Sequence, residues 1–421
     1  MSLDVTAVAS VLKETYPNGI VEIDYKRAKT LALLRKEKGT LVEGSFGTAF
    51  KQPIKYSNPQ AGSATYATGY AQAATENTRY THWYLTPAEL FQFARVTGAA
   101  VRRSQGNTAA FVKALVSEIE NAKVALTRMI EIYLDGSGWG DLAQIATAGI
   151  TTTAITLKYP WMARFFEIGQ SISFSSSING AVLRAPAAGV ATKITAVDTS
   201  TGILTTADDM TSGGSTQVAA ADYIFRAGDR QNSASPTRIV PCGFKAFLPD
   251  AASDRGTLFN VDQTLSQRLG GLRRSATTSG NMEEALLDMS SDIDSQGGVS
   301  THCVMGTQTY AKLGKSLLNK VYCDIEDMDG VKLGFKGIVV QGASGDIICY
   351  SDSAFAEGRA RMFNVADIGI QHVGDDIATI DQTDGLQFRQ VDGTDDWMAR
   401  LVASYQFHVD APGHAGVVTD L

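Results

Sequence analysis

The run from Asp324 to Gly330, DIEDMDG, sets acidic side chains beside a glycine at nearly the spacing of a calcium loop. In such a loop alternate carboxylates converge on the cation and the glycine makes the sharp turn. Asp327, Asp329 and Gly330 fall in register, but Ile325 and Lys336 take the first and last ligand positions, where neither can hold a cation. His302 and Cys303 place an imidazole beside a thiol, the pair an activated cysteine needs. Neighbours on a strand point to opposite faces, so the two cannot serve one substrate. GASGD from Gly342 lacks the spacing of a nucleophile elbow and reads as a hairpin turn. His82, His302, His372, His408 and His414 never pair at metal-ligand spacing, and no phosphate loop, dinucleotide fingerprint or H-E-x-x-H motif occurs. The expectation is a protein that is not an enzyme, with no catalytic, cofactor-binding or metal-ligating residues.

Two other stretches carry contact chemistry. Lys26 to Lys38, KRAKTLALLRKEK, sets Lys26, Arg27, Lys29, Arg35, Lys36 and Lys38 against Glu37 alone, with Leu31, Leu33 and Leu34 between them. This predicts a short amphipathic helix with a basic face. The face is either solvated or turned to a polyanion or an acidic partner. Tyr56 to Thr75, YSNPQAGSATYATGYAQAAT, has no charge and no aliphatic larger than alanine; its bulky groups are Tyr56, Tyr66 and Tyr70. It cannot build a core, and periodic tyrosines set it apart from a Gly/Ser linker.

The totals bound the rest. The chain has 421 residues, 44% hydrophobic and 19% charged, which predicts a globular protein of two to four lobes. A net charge of −7 argues against a general nucleic-acid binder. Cys242, Cys303, Cys323 and Cys349 lie far apart and read as buried free thiols in a reducing compartment. No apolar run approaches a membrane span, and the start, MSLDVTAVASVLKE, is not a signal peptide. The acidic tract from Asp375 to Asp396 reads as loops between exposed strands.

The elements that must position these groups follow from periodicity. Residues 1–44 form an N-terminal arm, and 45–84 a long hairpin with the tyrosine-bearing stretch at its tip. Tyr80 and Trp83 stand on its second strand, and Pro53 marks the first as an edge. Thr86-Pro87-Ala88-Glu89 reads as a capping box opening a helix to about Arg103. A second helix runs from Thr108 to about Leu134, its stripe Phe111, Leu115, Ile119, Ala122, Leu126, Ile130 and Tyr133 leaving one face apolar. Residues 85–160 hold these helices, and 161–229 read as an inserted small all-β domain. Residues 230–360 follow as an α+β lobe with IVPCGFKAFLP and THCVMG as strands, helices at NMEEALLDMSSDI and GTQTYAKLGKSLL, and a hairpin at GIVVQGASGDIICYSD. Residues 361–421 supply two long strands, RARMFNVADIGIQHV, which starts at Arg359, and DWMARLVASYQFHVDAP.

This order of parts, with the wording GFKAFLPD, THCVMGTQTYAKL and GIVVQGASGDIICYSD, resembles the major capsid proteins of tailed bacteriophages, the Hong Kong 97-type fold. The resemblance covers nearly the whole chain. It implies an α+β fold with an N-arm, an extended E-loop hairpin, a spine helix, an axial domain and an inserted β domain. It also implies self-assembly into hexamers and pentamers of an icosahedral or prolate shell around double-stranded DNA, with the virion as location and the host cytoplasm as place of assembly. Implied contact residues are Tyr56, Tyr66, Tyr70, Tyr80 and Trp83 on the E-loop. Implied partners are further copies, packaged DNA met non-specifically by the basic run, a portal, a decoration protein and a separate scaffold, if any, with no membrane. Some members crosslink through an E-loop lysine; Lys51 and Lys55 lie on the arms and none at the tip, so no crosslink is expected. The alternatives are a surface or adhesin-type structural protein with a β module, against which the missing signal peptide counts, and an enzyme without a converging acid/base set.

Overall fold

The computed structural model describes residues 28–38, 49–99, 108–186, 189–212, 217–231, 237–318, 338–374, 379–380 and 389–421. Lys26, Arg27, Cys323, the DIEDMDG run and most of the acidic tract lie outside them, as do the side chains of Lys38, Phe111 and Leu115.

The helix Thr108–Leu134 has the bounds its periodicity predicts. Ala122, Leu126, Ile130 and Tyr133 are buried along one stripe, but every residue from Met129 to Leu134 is buried as well. The helix is therefore one-faced only until its last turns, where it enters the core from all sides. It lies across a six-stranded sheet. Trp397–Val409 is the central strand, flanked by Ile368–His372 and, over nine residue pairs, by Ala88–Val96.

Ala88–Val96 is a strand, not the helix its capping box suggests. AELFQFARV alternates: Ala88, Leu90 and Ala94 are buried, while Glu89, Phe91, Phe93 and Arg95 face out. Period-two burial with two β-favouring phenylalanines outweighs a four-residue cap signal. IVPCGFKAFLP is also not a strand. It crosses the end of the long helix and forms a single turn, Phe244–Phe247. Gly243 permits the crossing, since a Cβ there would lie 2.2 Å from the Leu134 carbonyl oxygen. Phe244 then packs against Phe407, Phe363 and Phe355 at ring distances of 4.7, 5.0 and 5.7 Å.

The all-β unit is a closed ring of strands. Asp141–Ile150 pairs with Ala154–Leu157, which pairs with Ile203–Thr206, then Ala191–Asp198, Ser171–Ser175 and Tyr223–Arg226, which returns to Asp141–Ile150. Ile155, Ile172, Phe174, Leu204 and Ile224 fill the interior with no exposed surface. Closure removes the free edges an open sheet would leave. The barrel thus starts twenty residues before the expected boundary at 161. Its turn at Asp198 forms as predicted, with Oδ1 accepting from Ser200 N at 2.8 Å and Gly202 at φ 75°.

A second six-stranded sheet builds the remaining lobe, in the order Leu272–Ser275, Gly416–Thr419, Arg359–Phe363, His302–Met305, Gly345–Ser351, Ile338–Gly342. The predicted helices Met282–Ser295 and Thr307–Leu318 are present. Met289, Ile293, Leu313, Met362 and Val418 form its own apolar cluster. RARMFNVADIGIQHV is two strands, Arg359–Phe363 and Ile368–His372, in different sheets. At the break Asn364 Oδ1 accepts from Ala366 N at 3.1 Å, an Asx turn that redirects the chain. The terminal strand Gly416–Thr419 joins this second sheet rather than the one containing Trp397–Val409.

Candidate functional site

The hairpin forms as expected, Phe50–Ser57 against Arg79–Leu85, with register from Phe50↔Leu85 outward. Its root is apolar: Phe50, Trp83 and Leu85 are buried, and Trp83 meets the Phe247 ring edge-on at 5.5 Å. Tyr84 N donates to the Phe259 carbonyl at 3.2 Å, and Arg268 Nη1 to the Tyr56 carbonyl at 3.4 Å. Trp83, expected as an outward contact, is fully buried in the chain's own core and corrects that expectation. Tyr56 is half-buried against the same core.

Among the described residues, none covers the tip of the hairpin. The tip contains a helix the periodicity did not reveal, Tyr66–Ala73, with no buried residue. Its Tyr66 and Tyr70 lie one turn apart with rings stacked at 6.3 Å, and are 86% and 72% exposed. Tyr80 is 70% exposed. An eight-residue helix has little stability of its own in water. Each tyrosine covered by a partner would bury roughly 150–250 Å², worth about 4–6 kcal/mol at 25 cal/mol/Å² before the costs of association. The arrangement offers a pair of exposed tyrosine rings on a projecting arm whose tip carries no charge.

The basic run behaves differently. It is not one amphipathic helix: the helix covers Lys29–Leu33, and Arg35–Lys38 is a strand parallel to Ile368–His372. Leu34, at ψ 144°, makes the switch and is buried with Thr30 and Leu31. Thr30 Oγ1 donates to Asp352 Oδ2 at 2.5 Å and Thr30 N to the same oxygen at 3.2 Å. Lys29 Nζ donates to the Ser351 carbonyl at 2.9 Å, and Arg35 pairs with Asp410 at 3.5 Å. Lys36 is exposed. Of the three cations described, Lys29 and Arg35 bond within the chain and Lys36 faces solvent.

Beneath Thr30 lies a polar group that no local motif announced. Glu131 is buried beside Asp352, with Arg128 Nη1 donating to its Oε2 at 3.2 Å. Burial first, then the Asp352 charge, push the Glu131 carboxyl up to about 8 against the pull of Arg128. Arg361, also buried, is held by Asp135 at 2.9 Å, Asp250 at 3.0 Å and the Leu248 carbonyl at 2.8 Å. These groups tie the long helix to the second sheet.

The residues that suggested catalysis come apart. Cys303 is buried beside Cys349 on the adjacent strand, and that neighbour together with burial pushes its thiol well above the ordinary range. Such a thiol is a poor nucleophile. Cys242 is pushed up to about 12 by burial. Among the described residues no three His, Cys, Asp or Glu side chains group as a metal site. No helix among them is long and apolar enough to cross a membrane. Sequence reasoning missed the outer face of Ala88–Val96, where Phe91 and Phe93 are each 51% exposed; the alternation of AELFQFARV was the available signal.

No family model matches the sequence, and no curated protein does. Among solved structures, the chain is similar to one from the capsid asymmetric unit of cyanophage A-1(L), at 10% identity and a TM-score of 0.56, covering 100% of this chain and 99% of that one. It is also similar to the holo-SrpI encapsulin complex of Synechococcus elongatus PCC 7942 (7% identity, 100% and 96% covered, TM-score 0.48). A structure from Mycobacterium phage Adephagia aligns at 13% identity, 100% and 98% covered, with a TM-score of 0.46. The cyanophage likeness extends from end to end, so the α+β fold of this chain is a phage capsid fold.

Proposed function

We propose that this chain is the major capsid protein of a tailed bacteriophage and that its function is self-association into a closed shell. One observation carries this reading. The hairpin is rooted in the chain's own core through Phe50, Trp83 and Leu85, yet its tip buries nothing and presents Tyr66 and Tyr70 as a stacked pair. A projecting arm of this kind acquires a core only from a second copy. The capsid fold supports the same reading.

In this proposal Tyr66, Tyr70 and Tyr80 meet a neighbouring subunit, with Tyr56 bracing the arm where it leaves the body. Contacts of arm to neighbour are heterologous and close into rings, giving the hexamers and pentamers of an icosahedral or prolate shell around double-stranded DNA. The basic run from Lys26 to Lys38 meets DNA or a neighbour's acidic loop, a sequence-independent and salt-sensitive contact. A portal, a decoration protein and a separate scaffold are the further partners, and the virion is the location.

The test is the particle mass of the purified full chain, by light scattering and negative-stain microscopy. Shells of megadalton mass are expected, and a small oligomer under every condition tried overturns the reading. Deleting Asn58 to Thr75 is expected to leave the subunit folded and to stop shell formation. Normal shells from that variant would remove the tip from the proposal.

A further inference from the structure

A groove of about 470 Å³ runs between the long helix Thr108–Leu134 and the barrel. Its walls bring together three guanidinium groups from separate parts of the chain. Arg128 comes from the helix, Arg164 from the turn Pro160–Phe165, and Arg226 from the barrel strand Tyr223–Arg226. Glu167, exposed, is the one carboxylate among the lining residues. In a chain of net charge −7 this is a local reversal of sign.

The three arginines are not equally committed. Arg164 is used within the fold, with Nη1 donating to Glu357 Oε1 at 2.8 Å and Nη2 to the Phe355 carbonyl at 2.6 Å. Arg128 Nη1 reaches Glu131 at 3.2 Å and Ser353 at 3.2 Å. Arg226 makes no ion pair among the described residues, and its Nε is buried without a hydrogen-bond partner there. The Gln170 Nε2 is buried and unpartnered in the same sense, while its Oε1 accepts from Glu167 N at 3.0 Å, which fixes the amide's orientation. Buried donors left unpaired are costly, and a cluster of them around a groove marks what the groove is shaped to receive.

We infer that this groove is an oxyanion site taking a small multivalent anion, such as pyrophosphate or a di- or tricarboxylate, on Arg226, Arg128 and the Gln170 amide. Guanidinium forks match the paired oxygens of phosphate and carboxylate. The volume lies within the ~300–1,000 Å³ of small-molecule clefts, enough for more than one anionic group. Ile132 and Phe165 supply the apolar part of the lining. The same chemistry is offered by a free anion and by a carboxylate side chain of a second copy.

Isothermal titration of the full chain with pyrophosphate at fixed ionic strength tests the site. Saturable binding of one anion per chain is expected, weakened about tenfold in Arg226→Gln by loss of a charge-assisted bond. Lys315→Gln, an exposed cation on the helix Thr307–Leu318, which lines no part of the groove, should bind as the unaltered chain does. Thermal melts check that Arg226→Gln folds. If it does not, Gln170→Ala removes one neutral donor and should weaken binding several-fold. No saturable binding, an equal loss in Lys315→Gln, or full affinity in the folded groove variants overturns the assignment. Repeating the titration on assembled particles separates the sources. Retained binding supports a free anion, and binding seen only in unassembled subunits supports a neighbour's carboxylate in the groove.

Discussion

Tyr66–Ala73 and Lys29–Leu33 are both short helices beside extended chain, and the fold treats them in opposite ways. The first has no buried residue, whereas the second is sealed down by Thr30, Leu31 and Leu34. Neither is long enough to be stable alone. Lys29–Leu33 is held by Asp352 and Ser351, more than three hundred residues away in sequence, so its ordering is supplied within one chain. Among the described residues Tyr66–Ala73 has only its hairpin strands, and in the proposed shell a neighbouring copy would supply the surface that covers it. Each is no more than about two turns; the difference that matters is whether the chain itself provides apolar cover.

The root of the hairpin gives the largest expected effect on the subunit itself. Trp83→Ala removes a fully buried ring that packs on Phe247, and should cost about 3–5 kcal/mol, read as a lowered midpoint in denaturant unfolding. A change below about 1 kcal/mol would mean that the hairpin is not rooted in the core as described, and the contrast between root and tip would fail.

The clamp on the arm should respond to pH. Folded Glu131 holds its proton up to about pH 8, against an ordinary value of 4.5. Between those limits the folded chain binds more protons than the unfolded one, so stability falls as pH rises and levels off above about 8. This one group contributes at most about 1.4 kcal/mol per pH unit in that window. Glu131→Gln, which keeps a donor toward Asp352, should flatten that part of the stability profile. An unchanged slope would show that the carboxyl is ionised in the fold. A smaller loss is expected from Thr30→Val, which keeps shape and burial but removes the Oγ1 donor to Asp352. The cost should be roughly 1.5–3 kcal/mol for a bond to a charged group, with faster proteolysis near residue 28 as a second readout.

How legible these regions are in sequence follows the range of the interactions that form them. The long helix and the hairpin announce themselves because i, i+4 stripes and strand alternation are local. The barrel's first strands, in LAQIATAGITTTAITL, carry small residues with faint alternation, and they close only through Tyr223–Arg226, far along the chain. The arm helix is shorter than its thirteen-residue pattern predicts because its decisive partner, Asp352, lies more than three hundred residues away. The tip helix has no apolar stripe, so there was no period to read. Trp83 is a different kind of miss. It lies three residues from Tyr80, and a strand puts such a pair on opposite faces, so parity already separated the buried ring from the exposed one.

The smallest expected effect on the subunit belongs to the tip, and it sharpens the contrast most. Tyr66 and Tyr70 touch little besides each other within the chain, at 86% and 72% exposure. The double variant Tyr66→Ala, Tyr70→Ala should therefore change unfolding stability by no more than about 0.5 kcal/mol, as surface changes do. Its effect on shell yield should be large, since two rings of about 150–250 Å² each are withdrawn from an interface. Single variants should fall between, and Phe at both positions should restore much of the yield if ring burial outweighs the hydroxyl bonds. A stability loss like that of Trp83→Ala would show that the tip packs on its own chain after all. Unchanged assembly with unchanged stability would show instead that the stacked pair is idle, and that the arm engages its neighbour through Tyr80 or through its backbone.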